Sequence, residues 1–286
     1  MNIKKYTSEN KGPTILILGR IHGNEPIGTK IIERLMKDID DKIIQLKNGA
    51  INLIACCNER AANEDTRFID LNLNRIMSAQ LIKENKGAYE AELALQVMEA
   101  IDNADMLIDL HSFVDPGTPP YMICIDDNAI ARDMVKASGY KTILCASPFL
   151  TPANSQMTVD YAKSKGKPAV LIEAGYHNDP TAFNRGYEAV LNILATLGFI
   201  DKSIEIPSTS QDFVVMKDYI LQKDGYELVF PLKSAKDINI GDPIYKTKNG
   251  DIISSKVKGE IFAKNLTPRS GEEYCYIADI FKGWPD

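Results

Sequence analysis

Histidine is scarce in this chain: His22, His111 and His177 are the only three among 286 residues, beside a single tryptophan. No basic tract appears, and a net charge of −6 with a pI near 5.3 argues against a nucleic-acid or anionic-membrane partner. No apolar run approaches the length of a membrane span, and the N-terminal Met1-Asn2-Ile3-Lys4-Lys5-Tyr6 lacks the apolar region of a signal peptide, so the cytoplasm is the expected compartment. The five cysteines, Cys56, Cys57, Cys124, Cys145 and Cys275, show no CxxC spacing and fall mostly in apolar runs. They read as buried thiols in a reducing compartment. No internal repeat and no low-complexity tract is found. What the chain does have is 44% hydrophobic residues, enough to bury a full core in one large domain plus a small one.

Residues from about 14 to 200 alternate between two textures. Strands are expected at 14–19, 50–57, 105–110, 120–125, 141–145 and 169–172, and helices at 26–38, 86–102, 128–138 and 182–198. Such alternation predicts an α/β fold, a mostly parallel or mixed sheet flanked by helices. From about 205 the apolar runs shorten: Phe213 to Met216, Glu227 to Phe230, Pro243 to Tyr245, Ile252-Ile253 and Tyr274 to Ala278. Turn signals such as Lys223-Asp224-Gly225, Asn249-Gly250 and Ser270-Gly271 separate them, which predicts a small C-terminal all-β domain. The polar stretch 201–210 reads as the linker, so the division falls into residues 1–202, an α/β domain, and 203–286, a small β domain.

His22-Gly23-Asn24-Glu25 follows the apolar run Thr14 to Gly19 and precedes Pro26, which opens a periodic helical stretch. A histidine and a glutamate in a strand-to-helix turn can converge on one metal ion. Zinc takes neutral imidazole and carboxylate ligands, and a His2Glu set leaves a fourth position open for water. The third ligand is then His111 or His177. His111 directly ends another strand-like run, Met106 to Leu110, so its position matches that of His22; His177 lies in a turn-rich loop and reads as a rim residue. The strand candidates ending at Asn58 and Glu173 deliver further polar groups to the same edge, where open α/β sheets bind ligands. Between them, Thr66-Arg67-Phe68-Ile69-Asp70-Leu71-Asn72-Leu73-Asn74-Arg75 supplies two arginines, whose planar forks match a carboxylate. Asp109 is placed to orient a ligand imidazole or to cap a neighbouring element.

The ordered motifs HGNE, TRFID–NLNR, DLHS and IEAG resemble the succinylglutamate desuccinylase/aspartoacylase family, relatives of the zinc carboxypeptidases, over roughly residues 14–180. The resemblance implies one Zn2+ per chain on His22, Glu25 and His111, with Glu173 as general base. It implies that Arg67 polarises the scissile carbonyl while Asn74 and Arg75 hold the carboxylate of an N-acyl amino acid, a small-molecule substrate that loses its acyl group. The family's substrate-contacting tyrosine near the chain end corresponds best to Tyr274, with Tyr276 as the alternative. Two departures stand out: Asn72 occupies a position where the aspartoacylase pattern has aspartate, and Lys163, Lys165 and Lys167 stand where the family has an additional arginine. Competing readings are a zinc carboxypeptidase acting on short peptides and a non-catalytic carboxylate-binding relative. The acyl group, the amino acid and the oligomeric state, with a homodimer as one candidate, stay open.

Overall fold

The structure, a computed structural model, describes all residues except 127, 146–154, 204–209, 263, 265, 267, 269–272 and 285–286. Its strands are β1 (Lys4–Thr7), β2 (Thr14–Gly19), β3 (Ala50–Ile54), β4 (Met106–Phe113), β5 (Tyr121–Cys124), β6 (Thr142–Cys145), β7 (Ala169–Tyr176), β8 (Asp212–Leu221), β9 (Tyr226–Leu228), β10 (Asp237–Ile238), β11 (Pro243–Thr247), β12 (Ile252–Ser254), β13 (Gly259–Phe262) and β14 (Glu273–Phe281). The helices are α1 (Ile27–Asp40), α2 (Glu59–Asn63), α3 (Ala79–Glu84), α4 (Tyr89–Asp102), α5 (Ala129–Ser138), α6 (Thr158–Ser164) and α7 (Ala182–Thr196). All six strands and all four helices expected in the first two hundred residues are present. The short helices α2, α3 and α6, of five to seven residues, have too little amphipathic pattern to be read; Asn58 and Ser78 cap the first two through their side chains.

Eleven strands form one mixed sheet in the order β1-β3-β2-β4-β7-β5-β6-β8-β14-β13-β10. Strands β3, β2, β4 and β7 run parallel, β5 runs antiparallel to β7, and β6 is parallel to both β5 and β8. The period-two alternation of side chains explains how one sheet serves two cores. Ile15, Ile17, Ile108, Leu110, Val170 and Ile172 face α1, α5 and α7, whereas Leu16, Leu18, Leu107, Ala169 and Leu171 face α4 and α6. Both faces are covered, so the central strands read as continuous apolar runs instead of alternating ones.

The C-terminal strands β8, β14, β13 and β10 extend the main sheet through the β6–β8 pairing, and β9, β11 and β12 make a second, three-stranded sheet. A small core of Ile220, Phe230, Leu232, Ile244 and Ile277 lies among these strands. Of the expected linker, residues 204–209 lie outside the described residues, as does the Ser270-Gly271 turn. None of the five cysteines, all within the described residues, forms a disulfide, and four of them are buried as expected. Among the described residues no helix is long and apolar enough to cross a membrane.

Helix α1 approaches the sheet closely at Gly28, where an added Cβ would stand 2.7 Å from the Leu110 carbonyl oxygen and 3.0 Å from the Leu110 Cβ. That approach sets the distance between the α1 N-terminus and β4, which carries His111. Gly28→Ala is expected to lower stability by about 1–3 kcal/mol, the usual cost of overpacking. A denaturant midpoint equal to that of the wild type would contradict this reading.

Candidate active site

The β2–α1 turn begins at Arg20, which adopts a left-handed conformation (φ 55°) and sends its Nε to the Gly23 carbonyl at 2.7 Å. Gly23 allows the turn to lie directly on α2: an added Cβ would stand 2.2 Å from the Ala61 carbonyl carbon. The Gly23 N–H donates to the Arg67 carbonyl at 3.1 Å, tying the turn to the loop that follows α2. His22 and Glu25, each only 3% exposed, are thereby fixed at the carboxyl end of β2. His111 reaches the same point from β4, adjacent to and parallel with β2.

Glu25 is the meeting point. Its Oε1 lies 2.8 Å from His22 Nδ1, and its Oε2 lies 2.8 Å from His111 Nδ1. The Arg67 Nη1 donates to Oε1 at 2.7 Å, and the Ser112 N–H approaches Oε2 at 3.3 Å. One donor atom from each of His22, Glu25 and His111 fits within a span of 4.8 Å, so these three residues could hold a metal ion.

The outer ring nitrogens support that fit. Asn72 Oδ1 accepts from the Asn74 N–H at 3.0 Å, which orients its amide, and the same oxygen lies 2.9 Å from His22 Nε2. His22 therefore carries its proton on Nε2 and turns the Nδ1 lone pair inward. On the other imidazole, His111 Nε2 is 3.1 Å from Asp109 Oδ2 and 3.5 Å from Asn74 Nδ2. The nearer partner is a fully buried carboxylate, which needs a donor, so Nε2 holds the proton here too. Two inward imidazole nitrogens and a carboxylate facing one another call for a cation between them, a ring proton or a metal, and two imidazoles with one carboxylate are a zinc-type donor set. Asp109 thus takes the orienting position toward His111, while the Thr158 hydroxyl donates to it in turn.

Burial pulls the His22 pKa down to about 4, helped by the positive charge of Arg67. Burial also acts to lower His111 but is outweighed by Asp109 and Glu25, which raise it well above the usual value. For Glu25 burial acts upward, yet the two imidazoles hold its carboxyl well below the normal range.

Glu173 stands on β7 in register with His111 on β4 and with Tyr121 on β5. Its Oε2 is buried with no hydrogen-bond partner. Burial, with the negative charge of Glu25 beside it, pushes its pKa from 4.5 up to about 7. A cavity of about 150 Å3 opens in front of these groups, and its polar wall is formed by His22, Arg67, Asn74, Arg75, His111 and Glu173. Ile123, Leu144, Met157 and Leu171 form the apolar wall, and Tyr121, Tyr276 and Glu273 complete the lining. Arg75 donates from Nη1 to the Asn74 carbonyl at 2.9 Å. Asn74 is buried, its Oδ1 accepting from the Thr158 N–H at 2.9 Å.

Of the residues singled out by sequence, His22, Glu25, His111, Glu173, Arg67, Asn74 and Arg75 are brought together. Tyr274 is not: its hydroxyl donates to Gln222, its ring packs against the small C-terminal core, and Tyr276 faces the cavity in its place. The cause is a β-bulge. The β14–β8 register shifts between Glu273 and Cys275, which breaks the alternation and directs Glu273 and Tyr276 to the same side. His177 is not among the residues lining the cavity; its Nδ1 lies 2.9 Å from Ser112 Oγ. The three lysines turn elsewhere: Lys163 to the Ile125 carbonyl, Lys165 toward Asp102, and Lys167 to the Asp102 and Ala104 carbonyls. Tyr121 was not foreseen as a site residue.

Nor was Glu90, in the first turn of α4 and fully buried. Its carboxylate accepts from Asn58 Nδ2 at 3.1 Å and from the N–H groups of Ile69, Asp70 and Leu71 at 2.7, 3.0 and 3.0 Å. Asp70 reciprocates by accepting from the Tyr89 N–H at 2.8 Å. These bonds fix the backbone between Arg67 and Arg75.

The sequence model of the succinylglutamate desuccinylase/aspartoacylase catalytic domain matches residues 11–197. The fold and the His-Glu-His cluster describe an α/β protein with a convergent metal-type donor set, and the chain belongs to the succinylglutamate desuccinylase/aspartoacylase family. Among solved structures, it is similar to the ectoine utilization protein EutE (DoeB) from Ruegeria pomeroyi, with 18% identity, a TM-score of 0.70 and coverage of 97% of this chain and 88% of that one. It is also similar to a succinylglutamate desuccinylase from Vibrio parahaemolyticus (15% identity, TM-score 0.73, coverage 97% and 86%). A third is an aspartoacylase family protein from Mesorhizobium loti (20%, 0.65, 98% and 88%). At these identities the likeness establishes the shared fold. Among curated proteins none matches the chain.

Glu90→Ala leaves four donors without their acceptor, and the denaturant midpoint should fall by an amount corresponding to about 3 kcal/mol; an unchanged midpoint would show that the loop holds without it. In chelator-treated protein, the Glu173 pKa of about 7 exceeds its ordinary 4.5. The folded chain therefore binds that proton more tightly than the unfolded one. The stability contributed by this group is complete below about pH 4.5 and is lost as pH rises through about 7. Metal-free Glu173→Gln should melt above metal-free wild type at pH 8, with the gap closing toward pH 5; a gap independent of pH would refute the linkage.

Proposed function

We propose that this chain is a zinc-dependent amidohydrolase that removes a small acyl group from an N-acyl amino acid. The observation that carries this reading is the convergence of His22, Glu25 and His111 within 4.8 Å, beside an unpartnered buried oxygen of Glu173 on the adjoining strand. His22 and His111 would present Nδ1 and Glu25 a carboxylate oxygen to one zinc ion. When bound, zinc supplies a Lewis acid that acidifies water and polarises an acyl oxygen.

The remaining steps belong to the chain's own side chains. Glu173, ionised, takes a proton from the attacking water at its free Oε2 and passes it to the leaving amine, which cannot depart as an anion. A raised pKa suits this double role, because the group must both accept and release a proton near neutrality. Arg67 faces the cavity from the loop and would stabilise negative charge as it grows on the former carbonyl oxygen, favouring the transition state over the ground state. Arg75 would hold the carboxylate of the amino-acid part, with Asn74 Nδ2 as a second donor. Strand β14 would cap the site through Glu273 and Tyr276, and a cavity of about 150 Å3 fits a small molecule better than a long peptide.

Glu173→Gln is expected to keep stoichiometric zinc and lose turnover by a factor of roughly 100–10,000, the usual worth of a general base. The measurement is zinc content by elemental analysis together with hydrolysis of an N-acyl amino acid panel, with and without chelator. Wild-type turnover by the variant, or chelator-insensitive hydrolysis by the wild type, would overturn the assignment.

A further inference from the structure

The floor of the cavity is apolar in an ordered way. Leu171 on β7 is in register with Ile123 on β5, and Ile123 is in register with Leu144 on β6. The three form one row across adjacent strands on the face that carries Glu173, two residues beyond Leu171. Met157 joins the same lining from the start of α6. It follows Gln156, whose N–H donates to the Arg75 carbonyl at 2.8 Å and whose carbonyl accepts from the Met77 N–H at 3.0 Å. The apolar lining thus begins beside Glu173 and ends against the Arg75 segment. A group attached next to a carboxylate held by Arg75 would lie on it.

Charge in the cavity points the same way. Among the described residues, Arg67 and Arg75 are the cations that line it, and Arg67 lies 2.7 Å from Glu25. Only Arg75 remains for a carboxylate of the substrate's amino-acid part. Lys163, Lys165 and Lys167 point away, and the remaining ionisable group at this end, Glu273, is an acid. A second carboxylate placed on Leu171, Ile123, Leu144 and Met157 would lose water and find no further described cation to pair with, an arrangement that disfavours binding.

We propose that the amino-acid part of the substrate has a single carboxylate, held by Arg75, and an uncharged apolar side chain seated on Leu171, Ile123, Leu144 and Met157. The proposal rests on the N-acyl amino acid reading above and narrows it to a substrate class.

The test compares kcat/KM of the zinc-loaded protein for matched N-acetyl and N-succinyl derivatives of leucine, methionine, alanine, aspartate and glutamate. For either acyl group, leucine and methionine should exceed aspartate and glutamate by about 100-fold or more. Leu144→Ala should reduce the leucine-to-alanine ratio about tenfold, and Glu273→Gln should reduce the leucine-to-aspartate ratio. Thermal melts and zinc content show that each variant is folded and loaded. Equal or faster hydrolysis of the acidic substrates, or a leucine-to-alanine ratio untouched by Leu144→Ala, overturns the proposal. Binding of free leucine and free aspartate to zinc-loaded Glu173→Gln, by calorimetry, separates this idea from the reading beneath it. If nothing in the panel is hydrolysed, the amidohydrolase reading fails. Leucine binding at least tenfold more tightly than aspartate still supports the apolar subsite, and tighter aspartate binding refutes it.

Discussion

The site depends on one buried carboxylate. Glu25 is 3% exposed, and both of its oxygens are committed: Oε1 to His22 and Arg67, Oε2 to His111 and the Ser112 N–H. A carboxylate removed from water is tolerable only with such partners, and deleting any one of them leaves charge uncompensated. The partners come from three separated parts of the chain, the β2–α1 turn, the end of β4 and the loop after α2. Because the outer nitrogens of both imidazoles are occupied by Asn72 and Asp109, the inner face is free to exchange character. A proton on His111 Nδ1 or one divalent cation would satisfy the same geometry.

Scaffold and loop contribute differently to that geometry. The sheet sets the spacing of His22, His111 and Glu173 by strand register, a rigid device. The segment from Arg67 to Arg75 has no such support beyond one short 3-10 turn at Leu73–Arg75, so its backbone N–H groups are satisfied by side chains instead. Glu90 takes three of them, Asn72 takes that of Asn74, and Asn74 in turn accepts from Thr158. Asn72 therefore does two things at once: it terminates a backbone donor and aligns His22. Packing of Gly23 on α2 closes the remaining degree of freedom by fixing the turn against the loop.

Much of this is legible in the sequence. Apolar runs ending in His22, His111 and Glu173 announced both the strands and the edge at which they meet, because parallel strands in an α/β sheet all deliver their last residues to one side. The motif order carried the family and the arginine-bearing loop. Tyr121 stayed hidden for a topological reason: β5 runs antiparallel to β7, so its first residue and not its last reaches the site. Periodicity locates a strand but says nothing about its direction. Tyr274 and Tyr276 were inseparable because residues two apart share a face on a regular strand, and the bulge that separates them has no signature in the sequence. Glu90 looked like any acidic residue in the first turn of a helix; its burial depends on which loop folds over it.

The departure at Asn72 can be weighed by charge. Asp109 supplies His111 with an anionic partner, whereas His22 receives a neutral amide oxygen. A carboxylate behind a ligand imidazole raises its basicity, so the two imidazoles are unequal, and their opposite pKa shifts express this in the absence of an ion. Around these rings stand three acidic side chains, Glu25, Asp109 and Glu173, against the guanidinium of Arg67. A carboxylate in place of Asn72 would set a fourth acid beside His22 in a buried cluster, where like charges repel strongly. The neutral amide orients the imidazole through the same hydrogen-bond geometry without adding that charge.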